Sequence, residues 1–351
     1  MCPDPSKPVF RSTGDLAAHL GISRWAVSRV LNGQPGVSES TRQRVEALVA
    51  ESGFQPNRMA RGLRGGTTGL VGVLFQELES PALARKAAQL QQRLRDAGFR
   101  ALIELSAADQ RWEEETLRHF MSLRVDGVVL VGTTLPVDHT LLRQLARQAI
   151  PAVVVDPAQA LSMTTVQLDR AEAIAEAVRH LHGLGHRKFA LLGIESDPIL
   201  GPQRLRGIAR AQVELGLDPQ GDFKSFHLPE RSLQDYFYGA DLGRLWLEQA
   251  RQHTGIIANN DRLAIGAMRA LREAGLQVPR DYSLIGFDNT DVSAWVEPAL
   301  TTIDQQIETM MARAVERLVS AIHKEPAEAP EVERIEAQMV LRDTTGPVPA
   351  A

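Results

Sequence analysis

Four polar side chains fall at the ends of apolar runs that read as buried strands. Asp156 ends PAVVVD, Asn260 follows GIIAN, Asp288 ends LIGFD, and Arg204 opens the helix after ALLG. In open α/β sheets, ligands bind beyond the carboxyl ends of the strands. Two carboxylates, an amide and a guanidinium at such positions suit a polyhydroxy ligand, because each group can pair neighbouring hydroxyls or a ring oxygen. Taken one by one, a strand-end Asp or Asn serves equally well as a helix cap or loop residue. The four together carry the binding reading.

Catalytic chemistry has little support. The sequence lacks G-x-x-x-x-G-K-[ST], G-x-G-x-x-G after its first strand, and G-x-S-x-G. No nucleophile–base pair stands out, so the chain does not read as an enzyme, and no cofactor is implied. His182 and His186 have a metal-like spacing of four, but Gly183 and Gly185 interrupt the helix between them, so no metal site is expected. The acidic run Glu113–Glu115 reads as a solvated helix face.

A second kind of chemistry lies near the start, in SRWAVSRVLNG, residues 23–33. Ser12 with Asp15 three residues on predicts an acidic capping box for a helix over 13–20, stopped by Gly21. Ser23 caps a second helix over 24–31, which Asn32, Gly33 and Pro35 end. Ser38 caps a third over 39–52. Ala17, Leu20, Ile22, Val27 and Val30 fill the small core. Two helices joined by a tight turn and closed by a third match the helix-turn-helix plan. Arg24, Trp25, Ser28 and Arg29 then lie on the outer face, where Arg reads guanine and an apolar group packs on thymine methyls. On spacing alone, a helical hairpin with Trp25 in its core and solvated arginines fits equally. Residues 1–66 carry nine Lys/Arg against five Asp/Glu, a net +4, which leaves −8 on the remainder. A basic head on an acidic body suits a head that meets a polyanion.

The elements behind both sets follow from periodicity. Residues 55–69, QPNRMARGLRGGTTG, hold two glycine breaks and a proline and make a poor free helix. They read either as a plain linker or as a segment that folds only when docked. From Gly69 onward, apolar strands alternate with amphipathic helices in two consecutive series, which implies two doubly wound parallel sheets with a cleft between them. With 351 residues there is room for this body and the head. One cysteine, Cys2, excludes a disulfide framework or thiolate metal cluster. The apolar runs are too short to span a bilayer, and the first residues show no signal-peptide core, so a cytoplasmic location is expected.

In order and spacing, DLAAHLGISRWAVSRVLNGQPGVSESTRQRV, GFQPNRMARGLR, RVDGVVLVG, GLGHRKFALLG, RLRGIARA, NNDRLAIGAMRALREAGLQVPRDYSLIGFDN and PALTTIDQQ resemble the lactose-repressor (LacI/GalR) family of bacterial transcription regulators, nearly end to end. The resemblance implies a helix-turn-helix head over 1–54, a hinge over 55–67 and an effector-binding and dimerisation body over 68–351. Its lobes are expected over about 68–164 plus 302–328 and about 165–301 plus 329–342, and they look similar to periplasmic sugar-binding proteins. A homodimer would bind near-palindromic operator DNA. Arg24, Trp25 and Arg29 fall at the family's sequence-reading positions; Ser23, Ser28, Asn32 and Ser38 are phosphate-facing candidates. In the hinge, Asn57 is assigned to DNA and Leu63 matches the family's wedge leucine, which opens a base step. Asp156, Arg204, Asn260 and Asp288 fall on ligand-contact positions, and the family's effectors are mostly sugars, sugar phosphates or nucleobases.

Two departures stand out. Ala26 replaces a threonine usual in the family, and LESPALARK replaces an aromatic stretch after the first lobe strand. The second leaves open a regulator with no small-molecule effector, and a solute-binding protein without DNA function is the competing class. The short tail after Leu341 has no leucine heptad, so a dimer is expected.

Overall fold

The structure, a computed structural model, describes residues 10, 12–31, 33–54, 67–136, 138–159, 162–197, 199–228, 235–323 and 331–348. Asn32, Asn57 and Leu63 lie outside the described residues. Among the described residues, no helix is long and apolar enough to cross a membrane. The chain divides into two units after Thr68.

The first unit holds three helices: α1 (Thr13–Leu20), α2 (Arg24–Leu31) and α3 (Glu39–Ser52). The Ser12 hydroxyl accepts from the Asp15 amide at 3.2 Å while the Asp15 carboxylate accepts from the Ser12 amide at 2.9 Å, a complete capping box. Gly21 ends α1 at φ +64°, a conformation that costs other residues a Cβ clash. Ser23 and Ser38 cap the next two helices by accepting from Ala26 and Thr41. Leu16, Ala17, Val27, Val30, Val45, Leu48 and Phe54 form the buried core. Leu20 and Ile22 pack against its rim.

The second unit has two parallel sheets. The first runs β11-β5-β4-β3-β1-β2, from β1 (Leu70–Phe75), β2 (Arg100–Leu105), β3 (Gly127–Val131), β4 (Ala152–Val155), β5 (Thr164–Leu168) and β11 (Val332–Ile335). The second runs β7-β6-β8-β9, from β6 (Phe189–Leu192), β7 (Phe223–Phe226), β8 (Gly255–Ala258) and β9 (Ser283–Ile285). A small antiparallel pair, β10 (Thr302–Asp304) with β12 (Gln338–Val340), flanks β11 in sequence. Helices α4 (Pro81–Asp96), α5 (Gln110–Ser122), α6 (Thr140–Arg147) and α11 (Ile307–Ile322) cover the first sheet. Helices α7 (Arg170–Gly183), α8 (Gly201–Leu215), α9 (Tyr236–Gln249) and α10 (Asp261–Glu273) cover the second.

This topology corrects the expected lobe boundaries. The strand at 164–168, expected in the second lobe, pairs with β4, and β11 pairs with β5 at the edge of the first sheet. β11 and β12 are separate strands, broken at Glu336–Ala337. Periodicity marks a strand but not the sheet it joins. The chain therefore crosses between the sheets after β5, at β10, and between β11 and β12.

The acidic run over 113–115 also differs from expectation. Glu113 is buried, on the stripe of α5 shared with Thr116, Leu117 and Phe120. Its carboxylate accepts from the Thr133 hydroxyl at 2.6 Å and the Thr134 hydroxyl at 2.8 Å, which fixes the turn after β3. His186 is buried as well. Its Nδ1 lies 2.8 Å from the Thr254 hydroxyl and its Nε2 2.9 Å from that of Ser283.

Helices α9 and α10 approach backbone to backbone. A Cβ on Gly266 would stand 2.1 Å from the Tyr236 carbonyl oxygen, and one on Gly239 would stand 2.4 Å from that of Leu263. Helix propensity alone makes Gly266→Ala stabilising by about 1 kcal/mol. The clash reverses the sign: the expected outcome is a loss of about 1–3 kcal/mol in urea denaturation of the full chain.

Candidate functional site

On α2, Ser23, Arg24 and Trp25 are exposed and Ser28 and Arg29 half-buried, while Val27 and Val30 face the core. Trp25 is 58% exposed, so it is not a core residue. The Arg29 guanidinium lies 4.9 Å from the centre of its ring, and the Arg29 Nε donates to the Pro35 carbonyl. A cation over an aromatic face is held by the ring quadrupole. These two contacts fix Arg29 by its Nε and leave the two terminal nitrogens to read a bidentate acceptor. The Arg24 guanidinium lies over Gly14, where a Cβ would come within 2.7 Å of it. Ser23 accepts a backbone hydrogen bond as a cap, and its hydroxyl proton can still be donated to a phosphate. Ser38 shares its hydroxyl with Ser40 and Thr41.

In the second unit, the four predicted ligand residues do not stand as open hydrogen-bonding groups. Asp156, after β4, is buried and held at φ +52°. Arg170, at the start of α7, donates to both its oxygens, at 2.6 and 2.8 Å. The Lys86 ammonium, buried on α4, donates at 2.7 Å, and the Leu168 amide at 3.0 Å. Burial alone would raise the carboxyl pKa; the charges of Arg170 and Lys86 overturn this and hold it well below the usual carboxylate range. Burial also pulls the Lys86 ammonium down from its ordinary value, with Asp156 opposing. Arg170 reaches further, to the Gln305 carbonyl oxygen at 3.2 Å, and the Gln305 amide donates to Asp288. One hydrogen-bonded chain thus runs Lys86–Asp156–Arg170–Gln305–Asp288, through both lobes and two crossover segments.

Arg204 is buried beside this chain. It donates to Asp197 at 3.1 Å and to the Asn259 carbonyl at 3.3 Å, and its guanidinium lies 4.6 Å from the centre of the Phe287 ring. Its Nε has no acceptor. Asn260 caps α10, accepting from the Leu263 amide at 2.9 Å. The next residue, Asp261, is fully buried and accepts from the Thr290 amide at 2.7 Å, the Thr290 hydroxyl at 2.8 Å and the Thr302 hydroxyl. Burial and the nearby Asp288 carboxylate push Asp261 up to about 7 against these donors, and burial pushes Asp288 up as well. The two titrate as a pair.

Lys86, Arg170 and Gln305 were not among the residues singled out from sequence. Lys86 alone left a signal: it sits on the buried stripe of α4 with Ala82, Ala87, Leu90 and Leu94, where a lysine has no place without a partner. It belongs to the LESPALARK stretch that departs from the family's aromatic pattern.

A family profile described as "Bacterial regulatory proteins, lacI family" matches residues 14–57, and one described as "Periplasmic binding protein-like domain" matches 178–345. The transcriptional regulator MalR of Streptomyces coelicolor is 31% identical over 95% of this chain and 96% of its own length. Catabolite control protein A of Priestia megaterium is 28% identical over 90% and 93%. A solved lac repressor dimer, bound to operator and an anti-inducer, superposes with a TM-score of 0.84 at 27% identity, covering 97% of this chain and all of that one. The regulator CelR in complex with cellobiose superposes at 0.68 with 25% identity, over 95% and all of that chain.

Two outcomes follow from the buried charges. Arg170→Met leaves Asp156 with Lys86 and the Leu168 amide and is expected to cost about 3–5 kcal/mol in denaturant unfolding, whereas Lys86→Met, which keeps the bidentate pair, costs less. Asp261 has a folded-state pKa above its unfolded value of about 3.9. Its contribution to stability is therefore full below about pH 4 and lost as pH rises toward 7. Unfolding measured across this range is expected to show that fall in the wild type and a flatter profile in Asp261→Asn.

Proposed function

Because the chain belongs to the LacI family of bacterial DNA-binding transcription regulators, we infer that it acts in the cytoplasm as a homodimeric repressor whose grip on a near-palindromic operator is set by a small effector between its lobes. The observation that carries the DNA half is the outer face of α2, where an exposed Trp25 holds Arg29 by its ring and an exposed Arg24 lies over Gly14 of α1. Arg24, Trp25 and Arg29 read base edges; Ser23, Ser28, Asn32 and Ser38 hold phosphates. Asn57 and Leu63 act in the hinge, Leu63 as the wedge.

The effector is a sugar or sugar derivative, in keeping with neighbours solved with cellobiose and ribose. Arg204, Asn260, Asp288 and Asp156 hold it. The unsatisfied Nε of Arg204 supports this role, since a ligand oxygen would accept from it. A regulator without a small-molecule effector is the second reading. The engagement of Asp156 by Lys86 and Arg170 favours it, because a sugar competing for that carboxylate must displace a buried ion pair.

Fluorescence anisotropy with a palindromic operator selected from a random library tests the DNA half. Affinity is expected to fall steeply with salt, as several counterions are released; salt-independent binding, or none to any palindrome, refutes it. Arg29→Ala is expected to cost about 1–3 kcal/mol per half-site, and Trp25→Ala a part of this through Arg29. For the effector, a sugar at ~100 times its dissociation constant adds about 2.7 kcal/mol of stability. Silence across a panel of sugars, sugar phosphates and nucleobases selects the second reading.

A further inference from the structure

Outside the chain of buried charges, a cavity of about 440 Å³ opens at the β5/β11 edge of the first sheet. It is lined from the first lobe by the loop at 157–159, by β5 and by β11, and from the second by α8. Register explains its polarity. Thr165 pairs with Val332 and Gln167 with Arg334, so these four alternate positions share one face of the sheet. The neighbouring Val154, in register with Thr165, lies in the apolar cluster of α5 and α6 on that same face. At the edge the face turns polar where that cluster ends.

The lining carries an excess of positive charge. Arg206 on α8 and Arg334 on β11 have no ion-pair partner among the described residues. Arg210 is committed to Glu172 and Glu214, and Arg170 to Asp156. The one lining carboxylate, Asp169, is occupied in capping α7 through the Glu172 amide at 3.1 Å. Gln203 is 8% exposed and donates to the Pro157 carbonyl at 3.1 Å, which orders the wall and leaves its own carbonyl oxygen for a donor. The volume lies within the range of about 300–1,000 Å³ typical of small-ligand pockets.

We propose that this cavity is a second ligand site, distinct from the cleft, for a small anion carrying two phosphate or carboxylate groups, with Arg206 and Arg334 each taking one of them. Arg334 belongs to the first lobe and Arg206 to the second. A ligand held by both ties the lobes together and biases their equilibrium by its differential affinity for the two arrangements. Arg170 forms the shared wall between this cavity and the buried charges. The coupling to DNA rests on the proposed function; the binding site does not.

Pyrophosphate serves as the probe, titrated into the full chain by calorimetry at constant ionic strength. Saturable binding is expected. Arg206→Gln and Arg334→Gln each remove one charge-assisted hydrogen-bonding group and are expected to weaken it about tenfold or more. Arg111→Gln, on the exposed side of α5, leaves it unchanged. Absence of saturable binding, indifference to the two cavity substitutions, or equal weakening by Arg111→Gln overturns the site. Operator affinity is expected to shift with pyrophosphate in the wild type and not in the Arg206→Gln/Arg334→Gln double variant. A bound anion that leaves operator affinity unchanged overturns the coupling. A chain that binds no operator at all counts against the proposed function instead, and the calorimetric result stands apart from it.

Discussion

The body of this protein depends on one buried carboxylate. Asp156 is dehydrated, and an ion in a low-dielectric interior is tolerated only when paired and fully hydrogen-bonded. Here Arg170 grips both oxygens, Lys86 adds a third contact and a backbone amide a fourth. The partners come from different places: Lys86 from the first helix of the body, Arg170 from the first segment of the second lobe. Gln305, from another crossover, extends the arrangement to Asp288. The lobes are thus joined by charge as well as by covalent connection. Such an arrangement is directional, unlike apolar packing, so a change of lobe angle must break or re-form discrete bonds. This is the kind of element that has two states rather than a continuum.

In the head the same logic operates on a smaller scale. A core of seven buried side chains holds three short helices, and their ends are finished by serine caps and a left-handed glycine. What remains outside is ordered by its own contacts. Trp25 and Arg29 pair across one helical turn, and the Pro35 carbonyl accepts from the Arg29 Nε, so these exposed side chains have already lost part of their conformational entropy.

Much of this was legible in the sequence because it is local. The helices at 13–20, 24–31 and 39–52 follow from Ser12, Ser23 and Ser38 at one end and Gly21 and Gly53 at the other. The buried strands follow from short runs of Val, Leu and Ile. β7 is not legible, since FKSF is short and holds only two apolar residues, which do not alternate. The site was legible in part. Asp156, Arg204, Asn260 and Asp288 stand at strand ends or helix starts where a ligand reading and a capping reading coincide, and Asn260 does cap α10. The ion pairs were not legible, because Lys86, Asp156 and Arg170 meet only after two sheets have formed. Glu113 shows the same limit: its neighbours Glu114 and Glu115 suggest a wet face, while helical phase turns it inward toward Thr133 and Thr134.

The tail has a consequence for how the chain is made. Thr344 is buried; its backbone carbonyl accepts from the Leu284 amide, and its hydroxyl donates to the Leu284 carbonyl at 2.7 Å. The Gly346 amide donates to Ser283 at 2.9 Å, and that of Val348 to the Leu184 carbonyl at 2.9 Å. The open edge of β9 is therefore finished by residues about sixty positions further along the chain, just as the edge of the first sheet waits for β11. The head closes its core within residues 10–54 and can fold as it leaves the ribosome. Neither lobe can, since each lacks a border until residues 332–348 have been made. During that interval two half-built parallel sheets stand with bare edges, each a template for pairing with another chain.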